Sequence, residues 1–247
     1  MKKIFIILIV LITFGISQSV DDLIINGKTK IETAIQNWSE QGILGARAHF
    51  ERALSLNDKS WLVHYYIAYC DKQLVNFFMS KQDKAKVKKY VNDGLDHLED
   101  AVAEKPDFAE AYAMMSSLYG TKIAVMPWAA FWYGPKSGKL MGKAMALEPE
   151  NPRINLINGI SMKFTPESFG GGVASTKLYL NKAAELFIVD SPKSIMPSWG
   201  HSDVYAWLGL IELETENNAE AKAHFEMALE INPNNNWVKN QLMPKVE

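Results

Sequence analysis

Two segments near opposite ends of the 247-residue chain read in the same register. Ala46, Ala48, His49, Phe50, Glu51, Ala53, Leu54 and Asn57 recur as Ala221, Ala223, His224, Phe225, Glu226, Ala228, Leu229 and Asn232. A chain made of copies of one short unit cannot bury an apolar face within each copy, so the copies must stack on their neighbours. This constraint favours one elongated array over two separate globular domains.

The C-terminal copy shows the unit in full. Tyr205, Leu208 and Gly209 precede a polar break at Glu214-Thr215-Glu216-Asn217-Asn218, and Ala221, Phe225, Ala228 and Pro233 follow it at helical spacing. Small residues at 209 and 221 allow two helices to approach closely, Phe225 fills the space between them, and Pro233 ends the second helix. This pattern resembles the tetratricopeptide repeat, a helix-turn-helix unit of about 34 residues.

Weaker copies appear upstream. Gly159, Leu180 and Ala183 fit a fourth unit, with Asn155 and Asn158 where bulky residues are expected. Tyr112, Tyr119, Met141, Ala144 and Pro149 fit a third if an insertion separates its helices. Ile67 and Ala68 open a second unit that Gly94, Leu98, Ala101 and Pro106 close, and Ala46, Phe50 and Ala53 close a first whose opening helix is expected around Ile31 to Trp38. The predicted fold is all-α: a right-handed α-α superhelix of about five such hairpins with inserts, over residues 20–247.

Residues 1–19 read differently. Lys2 and Lys3 precede an apolar run from Ile4 to Ile16, and Ser17-Gln18-Ser19 leads into the acidic Asp21-Asp22. This is the pattern of a secretory signal peptide, with Ser19 the expected last residue removed, and the run is shorter than the ~20 residues of a membrane span. An uncleaved anchor is the competing reading. The expected location is periplasmic or secreted. Removing Lys2 and Lys3 from the 26 basic residues leaves 24 against 28 acidic ones, a net charge of about −4. That balance suits neither nucleic acid nor an acidic membrane surface.

The chemistry-bearing residues are sparse. Cys70 is the one cysteine, lies in the apolar stretch Val63 to Val75, and is expected to be a small buried hydrophobe. The five histidines contain no i, i+4 pair and no His-Glu-x-x-His run, and nucleophile-elbow, phosphate-loop and dinucleotide motifs are missing. No catalytic residue, metal or cofactor is therefore expected, and the chain reads as a non-enzyme.

Three irregular stretches interrupt the repeats. Ile123 to Ser137 contains Trp128, Phe131, Trp132 and Tyr133, which form either a partner-docking lip or a cover folded back on the stack. Burial is the commoner fate of aromatic side chains, so a cover is expected, with Pro127 stopping the preceding helix. Thr165 to Gly172 ends in three glycines, read as a tight turn in preference to an anion-binding nest. Ser191 to Ser202 reads as a loop before the last unit.

The punctuation Gly134-Pro135-Lys136-Ser137, Pro149 with Asn151-Pro152-Arg153, and Thr165-Pro166 with Phe169 to Gly172 resembles exported bacterial tetratricopeptide proteins of unassigned function. The resemblance covers the chain from about Trp61 onward. It implies that each unit's first helix lines a concave groove, here through Leu62, Tyr65, Tyr69, Arg153, Leu156, Ile160, Asp203, Ala206, Leu210 and Leu213. The lysine and asparagine clamp by which chaperone-tail-binding members hold a carboxylate has no counterpart at Tyr69, Ser117, Ile160 and Leu210. The expected function is a scaffold that binds a protein or peptide in an apolar groove, the alternative being an accessory protein for a hydrophobic small molecule in envelope transport. A competing arrangement has the groove packed by Trp237 to Val246, folded back as a capping helix.

Overall fold

The computed structural model describes residues 19–246. Of the expected signal segment 1–19, only Ser19 falls within them. Ten α-helices run in chain order: α1 (Val20–Gln36), α2 (Glu40–Leu54), α3 (Ser60–Ser80), α4 (Lys84–Glu104), α5 (Ala109–Val125), α6 (Ala130–Leu147), α7 (Pro152–Phe164), α8 (Val173–Ile188), α9 (His201–Glu214) and α10 (Asn218–Ile231). Consecutive helices pair as antiparallel hairpins, so the described residues form five units stacked in sequence order, an all-α superhelix without strands.

Four of the ten helices, α1, α2, α4 and α7, begin where a side chain satisfies unpaired backbone N–H groups. Ser19 caps α1 in a reciprocal box with Asp22, Ser39 accepts from Gly42 N at the start of α2, and Asn151 accepts from Arg153 and Ile154 ahead of Pro152 in α7. The apolar stripes then face inward. Ala221, Phe225 and Ala228 of α10 are buried, as are Ala46, Phe50 and Ala53 of α2. Helix α3 is covered on nearly every side because α1, α2, α4 and α5 all pack on it, and Cys70 is fully buried there, its thiol pushed up by that burial.

Three expectations change. The first unit's opening helix starts at Val20, well before Ile31, and Trp38 lies beyond its end with φ +47°. Its close-approach residue is Gly27, where a Cβ would stand 2.4 Å from Phe50 Cε1. The asparagine at 155 replaces bulk because its amide donates to the carbonyls of Pro149 and Asn151, tying the α6–α7 connection to α7. The insert at 123–137 does not fold back. A short turn at Pro127–Ala129 bends the chain and α6 then continues through Pro135. Proline cannot bond to the Phe131 carbonyl, but this turn is exposed and water can serve instead.

The glycine run is a turn. Gly170, Gly171 and Gly172 donate to the carbonyls of Glu167, Pro166 and Met162, so all three N–H groups are used within the segment. At the C-terminus, Val238 and Leu242 are buried beside Ala206 and Phe225, capping the last hairpin in π and 3-10 turns, not as an α-helix. Next to this cap the amide of Asn236 donates to the Gln36 carbonyl, so the last unit touches the first.

At Gly209 a Cβ would meet Phe225 Cε1 at 2.4 Å and the Ala221 carbonyl oxygen at 2.9 Å, whereas at Gly45 nothing lies within 4 Å. Gly209→Ala should therefore destabilise the chain by about 1–3 kcal/mol in urea unfolding, from overpacking. Gly45→Ala should instead be neutral or stabilise by up to about 1 kcal/mol, from helix propensity.

Candidate functional site

The first helices of successive hairpins bring their N-terminal turns side by side. From them Tyr65 (α3), Glu110 (α5) and Arg153 (α7) meet in the interior. Arg153 Nε donates to Glu110 Oε1 at 2.7 Å, and its two terminal nitrogens reach Asp190 at 2.6 and 3.3 Å. Tyr65 and the Asn151 amide donate to the same Glu110 carboxylate at 2.9 and 3.0 Å. Although burial opposes the charge on Arg153, Glu110 and Asp190 outweigh it and hold the guanidinium pKa up. Burial and the Glu110 carboxylate push the Tyr65 phenol well up, keeping it a donor.

This network seats the loop that follows α8. Trp199 Nε1 donates to the Tyr65 hydroxyl at 3.1 Å, and the indole stacks on Tyr69 with centroids 5.3 Å apart. Tyr66 donates to the Ile195 carbonyl at 2.7 Å, and Lys28 from α1 donates to the carbonyls of Ser194 and Met196 at 2.7 and 2.6 Å. Gly200, at φ +107°, turns the loop into α9 where a Cβ would strike Phe187 and Leu156. The loop therefore crosses from the fourth hairpin to the first and lies on the concave face.

That position decides the state of the expected groove residues. Leu62, Tyr65, Tyr69, Arg153 and Leu156 point inward, and all five are buried. The loop covers Tyr65 and Tyr69, where Trp199 bonds and stacks, and Ile195, Met196 and Trp199 pack on the core around them. The covering segment at Tyr65 and Tyr69 is this loop, while Trp237 to Val246 packs on the last hairpin in one cluster with Leu210 and Leu213. Ile160, Leu210 and Leu213 are half-buried. Trp207 joins them on this side, its ring 6.4 Å from Phe164 and 5.6 Å from Trp237. Lys72 and Asp203 also face the interior; burial lowers the ammonium pKa and raises that of the carboxyl.

The aromatic insert behaves in the opposite way. Trp128, Phe131 and Trp132 are 75%, 76% and 67% exposed, with Phe131 and Trp132 edge to face at 5.0 Å. Tyr133 is half-buried, its ring 5.4 Å from Tyr119. Lys122 and Lys136 lie over these two tyrosine rings. Phe164 and Phe169, 71% and 80% exposed, flank the next hairpin turn. The expected cover is thus an exposed edge. The reason is local: the turn at Pro127 and the start of α6 at Ala130 aim these side chains away from α5.

Sequence reading did not find Glu110, Asp190, Trp199 or Lys28. The one available signal was the aromatic and proline content of the 191–202 stretch, long for a connection between hairpins. Trp199→Ala removes the stack and the Tyr65 bond, and should cost about 3 kcal/mol of stability. Limited proteolysis should then cleave within 191–198 about tenfold faster than in the unaltered chain.

A tetratricopeptide-repeat family model matches residues 202–235, the last hairpin. No curated protein sequence matches the chain. Among solved structures, the HusA haemophore from Porphyromonas gingivalis is similar with a TM-score of 0.66 and 22% identity, over 81% of this chain and 96% of that one. A thermophilic tetratricopeptide protein from Thermus thermophilus is similar with a TM-score of 0.59 and 18% identity, over 89% of this chain and 98% of that one. One tetratricopeptide repeat is thus matched directly at the last hairpin, and the fold of the described residues, helical hairpins stacked in sequence order, is similar to that of these structures.

Proposed function

We propose that this chain is an exported, non-catalytic interaction scaffold whose working surface is the aromatic edge at the α5–α6 bend. The exposure of Trp128, Phe131 and Trp132 carries the reading. Large aromatic side chains left together in water usually mark an interaction site, and tryptophan is enriched among the residues that dominate binding energy. Helix α6 adds Lys136, Lys139 and Lys143 and carries no acidic residue. The partner this chemistry fits is a protein segment with apolar anchors flanked by carboxylates. Repeat scaffolds of this fold generally work through such contacts, which supports the non-catalytic reading.

A second reading rests on the similarity to a haemophore, which extends over 96% of that protein. In this reading the same aromatic faces stack on a flat apolar ligand. Both readings predict that the triple variant Trp128→Ser, Phe131→Ser, Trp132→Ser keeps its melting temperature, because the side chains are exposed. The scaffold reading predicts that the unaltered chain retains a defined protein from an envelope fraction and that the triple variant loses about 2 kcal/mol or more of that affinity. Haem titration followed at the Soret band separates the two: saturable uptake lost in the variant favours the ligand, and unchanged protein capture by the variant excludes the edge.

Export is supported by the residues that precede α1. Cleavage after Ser19 removes the α1 cap, worth about 1 kcal/mol, whereas cleavage a residue or more earlier keeps it. N-terminal sequencing of the protein recovered outside the cytoplasm should begin between Ser17 and Val20, and a chain recovered only in the cytoplasm with its N-terminus intact would overturn export.

A further inference from the structure

His64 and His97 stand 33 residues apart in sequence and meet across the α3–α4 hairpin, with their Nδ1 atoms 2.9 Å apart. Asp100, one turn beyond His97 on α4, places Oδ2 3.7 Å from His64 Nδ1. The donor atoms of all three lie within 4.8 Å of one another. We propose that this trio binds a borderline divalent cation of the zinc class.

The distances suit such an ion. With metal–ligand bonds of about 2.0–2.1 Å, two donors on a tetrahedral centre are about 3.3 Å apart. The two edges at His64, 2.9 and 3.7 Å, straddle that value and need to shift by only about 0.4 Å, within the reach of a side-chain rotation, and the His97–Asp100 edge is no longer than 4.8 Å. Two facing Nδ1 atoms can share only one proton between them, and the cation takes that proton's place. Imidazole nitrogen favours zinc, copper or nickel, while magnesium and calcium require oxygen donors.

The frame is rigid and the site has an open side. Gly94 brings α4 onto α3 one turn before His97, where a Cβ would stand 3.3 Å from Asp71 Cβ and 3.7 Å from the Ala68 carbonyl oxygen. Beyond Asp100, Ser60 donates to Glu104, joining the same two helices again. The histidines are thus fixed between two cross-hairpin contacts. His64 is largely covered and the Asp100 side chain is 63% exposed, which leaves the fourth position toward solvent for water or a donor from another molecule.

The test uses the full chain after chelator treatment, titrated with Zn²⁺ by calorimetry and with Co²⁺ by visible absorption. One equivalent should bind with a dissociation constant near or below about 1 μM, raising the melting temperature, and Co²⁺ should give tetrahedral d–d bands. His64→Gln or His97→Gln should weaken binding about a hundredfold and Asp100→Asn about tenfold, while His224→Gln leaves it unchanged. Should a histidine variant fail to fold, nitrogen NMR of the unaltered chain gives the answer: Zn²⁺ must shift two Nδ1 resonances. Failure to take up zinc, uptake indifferent to both histidine substitutions, or unmoved Nδ1 signals would each overturn the site.

Discussion

The Arg153 guanidinium, held between Glu110 and Asp190, is the interaction on which the interior depends. It joins α5, α7 and the end of α8, and through Glu110 it orients the Tyr65 hydroxyl that receives Trp199. A buried ion pair adds little net stability, since desolvation offsets most of its attraction. Its main effect is directional. Five polar contacts converge on two carboxylates, and alternative packings of the loop leave some of them unpaired at a cost of kilocalories each. The network thus selects one arrangement among several that burial alone would tolerate.

Much of the fold was legible because repeats announce themselves through spacing. Phe50 and Phe225 occupy equivalent places, each against a helix that approaches closely at Gly27 or Gly209, and the matching register predicts the second helix of each hairpin. The end of the array was harder to read at its start, since α1 reaches its close-approach residue through Gly27 without the motif's other landmarks. The loop from 189 to 200 was recognisable as a loop, but its destination was not. Contacts such as Lys28 with Ser194, 166 residues apart, depend on how tightly the stack curls, which no local pattern records. The His64–His97 pair was invisible for a related reason, because its spacing reflects a hairpin partner on another helix and not a turn of one helix.

The molecule divides its apolar and aromatic surface unevenly. The inner face, which repeat arrays commonly leave open, is closed near α3 by Trp199 and its neighbours. The outer edge carries Trp128, Phe131 and Trp132 in water. Burial explains both outcomes. A loop tethered at its two ends reaches the inner face at small entropic cost, while the α5–α6 bend has no comparable segment long enough to cover it.

The bond from Asn236 to the Gln36 carbonyl links the two ends of the array. In an open solenoid each unit knows only its neighbours, and fraying at one end leaves the other undisturbed. Here a hydrogen bond also joins the last unit to the first, so fraying at either end costs that contact as well. A contact of that sequence separation forms only once the units between have stacked, which couples the order of the two ends.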